Sequence, residues 1–231
     1  MKENRFITVP KVKLPGSALI VQSFEVGQYA CTKGAAGKAA VTAEDAPWVR
    51  INFANAKKSC EKAGFALITE LQWLAIALDV ASVPCNWNTG IVGKGRLFQG
   101  LRNDSVDSAQ PGNYEPEDPD EQRWMTLSNG ERICDLNGNV FQWVFDNIQG
   151  DENGLTTIIE ADSISLAMAP YASRTKGMGY RPDGERDWSG SALVRGGYWY
   201  SESRAGAFFL DRGWPGGEYD GVGFRCTKPG L

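Results

Sequence analysis

The stretch from Arg195 to Cys226 constrains this chain more than any other, because small, apolar and paired residues recur through it in a fixed order. Arg195-Gly196-Gly197, Trp199, Ala205-Gly206, Phe208, Leu210 and Gly223-Phe224-Arg225 are the residue types that build close-packed strands. Adjacent glycines admit backbone geometry that a Cβ would block, and Trp199, Phe208, Leu210 and Phe224 supply the bulk that anchors a core. Arg195 and Arg225, set beside glycines in strands, are expected to make structural ion pairs or hydrogen bonds. Between these positions lie Tyr198, Tyr200, Ser201, Glu202, Ser203, Arg204, Asp211, Arg212, Trp214, Glu218, Tyr219 and Asp220. Tyr and Trp among Ser, Gly and charged groups make the composition of a recognition surface, since both aromatics give a large amphipathic contact for few rotatable bonds. If Tyr198 to Tyr200 is extended, the two tyrosines share the face opposite Trp199, and a buried Trp199 points both outward.

Upstream, the chain divides by local signals. Residues 1–16 are polar and carry Pro10 and Pro15, which predicts an extended segment outside the core. A single domain is expected over 17–231, of a size well able to bury a core. Residues 18–29 read as a strand running into a turn, and the Gly- and Ala-rich span 32–45 as a loop. Asn52 is placed to cap a first helix, with Phe53, Ala56 and Cys60 at helical spacing and Gly64 where a left-handed stop belongs. Thr69 and Gln72 form a capping box for a second helix, whose Leu71, Leu74, Ala75 and Leu78 mark its core face.

The span 83–130 is rich in Pro, Gly, Asn and Asp and predicts long irregular loops. Its acidic run, 115–121, lacks the alternating spacing of a calcium loop and reads as a solvated turn. A strand is expected over 139–145, where Val140, Gln142 and Val144 alternate with Phe141, Trp143 and Phe145. An insertion at about 146–190 reads as a solvated loop with one strand at 155–159. Strands return at 192–195, 206–210 and 222–226.

Composition removes several classes of function. The chain has no histidine, so Ser-His-Asp, Cys-His and His-liganded zinc sites are excluded. A net charge of −4 gives no basic footprint for a nucleic acid or an anionic membrane, and no membrane insertion is expected. The first ten residues contain no signal-like apolar run, and no segment reaches the length of a membrane span. The expected location is therefore on a virion or displayed by a partner, and otherwise cytoplasmic. The five cysteines, Cys31, Cys60, Cys85, Cys134 and Cys226, are dispersed and read as buried free thiols, with no protein metal site expected.

The ordered motifs resemble a known family. Arg195-Gly196-Gly197-x-Trp199 followed by Gly223-Phe224-Arg225, with Gly138-Asn139-Val140-x-x-Trp143-Val144 before them, is similar to the C-terminal half of the formylglycine-generating-enzyme (sulfatase-modifying factor) type of C-type lectin fold. Phe24 to Tyr29, Ala54 to Gly64 and Leu67 to Trp73 resemble its opening strand, first helix and second-helix start. The resemblance implies an α+β fold of two helices, antiparallel sheet and long irregular loops. Its oxidase members are known for a pair of reactive cysteines between the positions of Trp199 and Gly223, and this chain has none there. Calcium is a further implied cofactor of such members, but Gln142 stands where they often carry Glu and offers no charge to the ion.

The alternation of fixed and free positions is instead similar to the variable proteins of diversity-generating retroelements, in which template adenines are mutated during copying. An Asn codon altered at its first two bases accounts for Tyr198, Tyr200, Ser201, Ser203, Arg204, Asp211, Arg212, Tyr219 and Asp220, but not for Glu202, Trp214 or Glu218. On this resemblance the chain is a non-enzymatic protein with a hypervariable surface over 195–226. Its partner would be a protein or glycan target on a cell surface, bound as a receptor by a virus or cell. The alternatives are a formylglycine-generating-enzyme-like enzyme and an orphan lectin-like domain. A glycosidase would need Glu202 to face Asp211 or Glu218 across a cleft. Tyr198, Tyr200, Arg204, Trp214 and Tyr219 are the expected energetic centres of a face burying roughly 600 to 1,000 Å².

Overall fold

The structure, a computed structural model, describes residues 3–167 and 174–229. In chain order the elements that place the site are β1 (Phe6–Val9), β2 (Phe24–Gly27), α1 (Phe53–Lys62), β3 (Ala66–Leu67), α2 (Glu70–Ala81), β4 (Trp124–Thr126), β5 (Arg132–Cys134), β6 (Phe141–Val144), β7 (Ala192–Gly196), β8 (Gly206–Gly213), β9 (Val222–Phe224) and β10 (Cys226–Thr227). They form two four-stranded sheets, ordered β1-β2-β10-β3 and β8-β7-β6-β9. The predicted α+β architecture is present, with two departures: a third, short helix covers Ile164–Ala167, and β6 and β9 run parallel, Trp143 opposite Phe224. Arg225 is the single residue between β9 and β10, so the chain crosses from one sheet to the other through a fully buried arginine.

Both helices begin where their caps require. Asn52 Oδ1 accepts from Asn55 N at 2.9 Å, and Gly64 follows the last turn of α1 with a φ of 80°. Thr69 Oγ1 accepts from Gln72 N while Gln72 Oε1 accepts from Thr69 N, so the capping box is complete. Such a cap contributes about 1 kcal/mol.

The second sheet is buried on both faces, which explains why its strands read as nearly continuous apolar runs. Val144, Leu193, Phe208 and Leu210 face one core with Trp73, Ile76 and Val80 of α2. Trp143, Val194, Phe209 and Phe224 face a second core with Phe53, Ala56 and Cys60 of α1. Period-two alternation along the strands thus sorts side chains between the helices. α2 is buried on more of its circumference than its expected stripe. Trp73, Ile76, Ala77 and Val80 are fully enclosed, whereas Leu71 and Leu78 are half-buried against the small hairpin of Val12–Lys13 and Ile20–Val21.

Three expectations are overturned. The described part of 1–16 does not lie outside the core: β1 pairs with β2 from Phe6–Gly27 to Val9–Phe24, and Ile7, Val9 and Leu14 are buried, so Pro10 ends a strand instead of preventing one. Within 146–190, of which 168–173 lie outside the described residues, Leu155, Ile159, Leu166, Met178 and Trp188 enter the α2-side core. The predicted strand at 155–159 is reduced to Gly154–Leu155 and a bridge from Ile159 to Arg186. This segment also covers the edge of β8: Phe208 N donates to Met178 O and Leu210 N to Tyr180 O, at 2.9 and 2.8 Å. A Cβ on Gly206 would lie 2.2 Å from Gly179 N, so this close approach requires glycine.

The acidic run 115–121 is not all solvated. Glu121 is buried and accepts from the backbone N–H groups of Arg102 and Asn103 and from Ser105 Oγ, pinning the long loop.

Candidate functional site

The frame beneath the site is held by two buried arginines with different partners. Arg195 Nε donates to Glu70 Oε2 at 3.0 Å, Nη2 pairs with the other carboxylate oxygen, and Nη1 donates to the carbonyls of Phe208 and Phe209. The expected ion pair therefore joins β7 to the first turn of α2. Among the described residues Arg225 has no carboxylate as a hydrogen-bond partner. Its Nε donates to Gln142 Oε1, its Nη1 to Gly27 O, and its Nη2 to Cys134 O and Asp135 O, all at 2.7–3.0 Å. Gln142 spends its amide on Asp135 O, so both ends of this side chain are used inside the core. Its carbonyl oxygen is taken up by Arg225. The Asp135 carboxylate is bound by Arg123 and Asn139.

Above this frame the free positions do not all behave alike. Tyr198 to Tyr200 is a turn, not an extended strand, because Ser201 Oγ accepts from Tyr198 N at 2.9 Å while Ser201 N donates to Tyr198 O. Ser201, expected on the face, is only 7% exposed and belongs to the frame. Trp199, expected in the core, is half-buried. Tyr198 is half-buried too, its ring stacked on Phe141 with centroids 4.7 Å apart and set edge-on to Trp199 and Tyr200.

Tyr198, Asp211, Arg212 and Tyr219 converge with Phe141, Val194, Gly213, Gly221 and Val222 around a concavity of about 350 Å³. Glycines make room for its aromatic walls. A Cβ on Gly221 would meet the Tyr198 ring at 2.5 Å, one on Gly217 the Tyr219 ring at 2.4 Å, and one on Gly213 the buried Trp143 at 2.6 Å. Asp211 and Arg212, expected in a loop, lie on β8, which runs past Leu210 to Gly213. Tyr200, Trp214 and Tyr219 are 55%, 69% and 40% exposed, and no other aromatic among the described residues is so exposed.

The charged free positions fall at the margins. Glu202, Ser203 and Arg204 form an exposed turn of helix in which Glu202 adopts a φ of 48°. Arg204 lies over the Tyr180 ring and 3.5 Å from Asp211, and Ser203 Oγ accepts from Arg174. Asp220 accepts from Arg50 Nε and Nη2 through its two carboxylate oxygens, which holds Arg50 above its ordinary pKa. Glu218 lies apart from the concavity, lining a basic hollow with Lys33, Arg50, Lys58 and Lys62. Phe141, Tyr180 and Arg50 also shape the face, and the sequence reading missed them because each reaches it from a distant segment.

The chain matches the sulfatase-modifying factor enzyme 1-like domain over residues 25–229 and belongs to that family. Among solved structures it is similar to PvdO from Pseudomonas aeruginosa, with 13% identity, a TM-score of 0.52, and coverage of 96% of this chain and 93% of that one. It is also similar to Treponema denticola variable protein 1, with 14% identity, a TM-score of 0.50, and coverage of 98% and 95%. At these identities the likeness is one of fold. No curated protein sequence matches the chain. Among the described residues no helix is long and apolar enough to cross a membrane.

Proposed function

We propose that this chain is a non-enzymatic ligand-binding protein, a variable protein of a diversity-generating retroelement, whose face between Tyr198 and Asp220 contacts a protein or glycan target on a cell surface. The observation that carries the reading is the concentration of Tyr200, Trp214 and Tyr219, the most exposed aromatics among the described residues, in one segment over a buried, fully bonded frame. Exposed aromatics at that density mark interaction sites, because leaving such area in water is unfavourable without a partner to cover it. The fold shared with Treponema denticola variable protein 1 over nearly the whole chain supports the same reading. The thiols near the face point the same way: the interval from Trp199 to Gly223 has no cysteine, and Cys226 is fully buried.

Two measurements test it. The first is the flanking DNA, where a near-copy of the segment encoding Tyr198 to Cys226, carrying Asn codons at the free positions, is expected beside a reverse transcriptase gene. Absence of both would falsify the retroelement assignment. The second is binding of the full chain to arrays of cell-surface glycans and proteins, repeated with Tyr200→Ala, Trp214→Ala and Tyr219→Ala combined. The triple variant is expected to lose every specific signal while melting within a few degrees of the parent, and retained binding removes this face from consideration.

A further inference from the structure

The sulfurs of Cys31, Cys60 and Cys226 lie within 4.8 Å of one another, and all three residues are fully buried. They come from three separate segments: the turn after β2, the last turn of α1, and β10. Each is fixed by its backbone. Cys31 N donates to Phe224 O at 2.8 Å, Cys60 O accepts from Ala63 N and Phe65 N, and Cys226 pairs with Leu67. All three are free thiols in the structure. A disulfide would join two of the sulfurs and strand the third. An ion bonded to three sulfurs at about 2.3 Å sets them about 4 Å apart, within the observed spread.

The surroundings favour anionic sulfur. Arg225 is fully buried next to Cys226 and its hydrogen bonds all go to uncharged acceptors; the Asp135 carboxylate acts on it through space but is bonded to Arg123 and Asn139, so a thiolate would add to the balance of this buried cation.

We infer that Cys31, Cys60 and Cys226 form a binding site for one soft, thiophilic cation that accepts three ligands, the chemistry of Cu(I). Zinc fits less well because structural zinc takes four ligands, the chain has no histidine, and no fourth Cys, Asp or Glu joins this cluster among the described residues. The ion would tie α1, β2 and β10 together at the point where the chain passes from one sheet to the other. Binding there would add directly to folding stability, because the unfolded chain has no preformed site.

The experiment uses the full chain, expressed in medium supplemented with copper or with zinc and purified without oxygen. About one copper per chain is expected, with a sulfur-to-copper charge-transfer band and an X-ray absorption shell of three sulfurs, and with a higher melting temperature than the metal-free chain. Cys31→Ser, Cys60→Ser and Cys226→Ser should each bring copper to background, whereas Cys85→Ser, at an exposed thiol, should not. The absorption shell of the unsubstituted chain decides the matter even where a serine variant fails to fold. A chain that binds no copper, one that takes zinc in a four-ligand site instead, or one in which two of the three thiols are already joined in a disulfide on anaerobic isolation overturns the inference.

Discussion

The frame under β7 and β8 and the face above it differ in how completely each side chain is committed to the rest of the chain. Arg195 has Glu70 and two carbonyls, Arg225 has four acceptors, and Trp143 donates its indole N–H to Ile51 O while filling a core. Trp214 and Tyr200 are mostly in solvent, with no side-chain hydrogen bond among the described residues to hold them. The two regions alternate along the same 32 residues of sequence. The lesson is that stability and recognition are separable here residue by residue, so substitutions should divide sharply by position.

Breaking the Arg195–Glu70 pair should give the largest effect. Glu70→Ala leaves a fully buried guanidinium with only two carbonyls, and losing one partner of a buried pair costs about 3–5 kcal/mol. Replacing both residues with methionine should recover much of that loss, since two uncharged side chains leave no stranded charge. Urea denaturation of Glu70→Met, Arg195→Met and the double variant reads this directly. Equal loss in all three would mean that the pair contributes by shape alone.

Gly213→Ala comes next. Its Cβ would sit 2.6 Å from the Trp143 ring, which is fully buried and bonded to Ile51, so the ring cannot move aside. Overpacking of this kind costs about 1–3 kcal/mol. Gly64→Ala meets no atom within 4 Å, so any loss there is that of a left-handed backbone alone.

The frame should also show itself in the pH dependence of stability. Burial, and then the charge of Glu70, raise the Asp146 carboxyl above its ordinary value. A raised folded-state pKa means that the native state holds the proton more tightly. The resulting stabilisation is fully present below the unfolded pKa and is lost as pH rises through the folded one. Stability from this group should therefore fall with rising pH across the window just above the usual carboxylate range, by at most about 1.4 kcal/mol per unit. Asp146→Asn should flatten that slope in denaturation curves collected from acid to neutral pH.

What could be read from the sequence follows the range of the interactions involved. The Asn52 and Thr69 caps act over three residues, and both were legible. The frame glycines and arginines were legible as types, but the partner of Arg195 lies 125 residues away, and no periodicity links the two. β1 was hidden by the polar residues before it and by Pro10 and Pro15 after it, although Ile7 and Val9 lie on either side of Thr8. Leu155, Ile159, Leu166, Met178 and Trp188 reach the core one at a time from irregular backbone, so they leave no repeat to detect. Ser201 looked like any other polar loop residue, because a hydroxyl that closes a turn has the same letter as one in solvent. The thiol trio is legible only once three distant segments meet.

The smallest effects on stability should come from the face, and they sharpen the division most. Tyr198 stacks on Phe141, so Tyr198→Ala removes a ring contact worth about 0.5–1.5 kcal/mol and should lower stability measurably. Tyr200→Ala and Trp214→Ala remove side chains that are more than half exposed, and such surface changes stay within about 0.5 kcal/mol. Tyr198 thus stands between the two regions, its ring stacked on Phe141 and also lining the concavity. If thermal melting ranks the three variants in this order while target binding falls most for Trp214→Ala, the face is a display built on a frame that does not depend on it. If Trp214→Ala instead destabilises the chain as much as Gly213→Ala, the tryptophan is holding the 213–221 loop in place, and variation at that position would be constrained by folding.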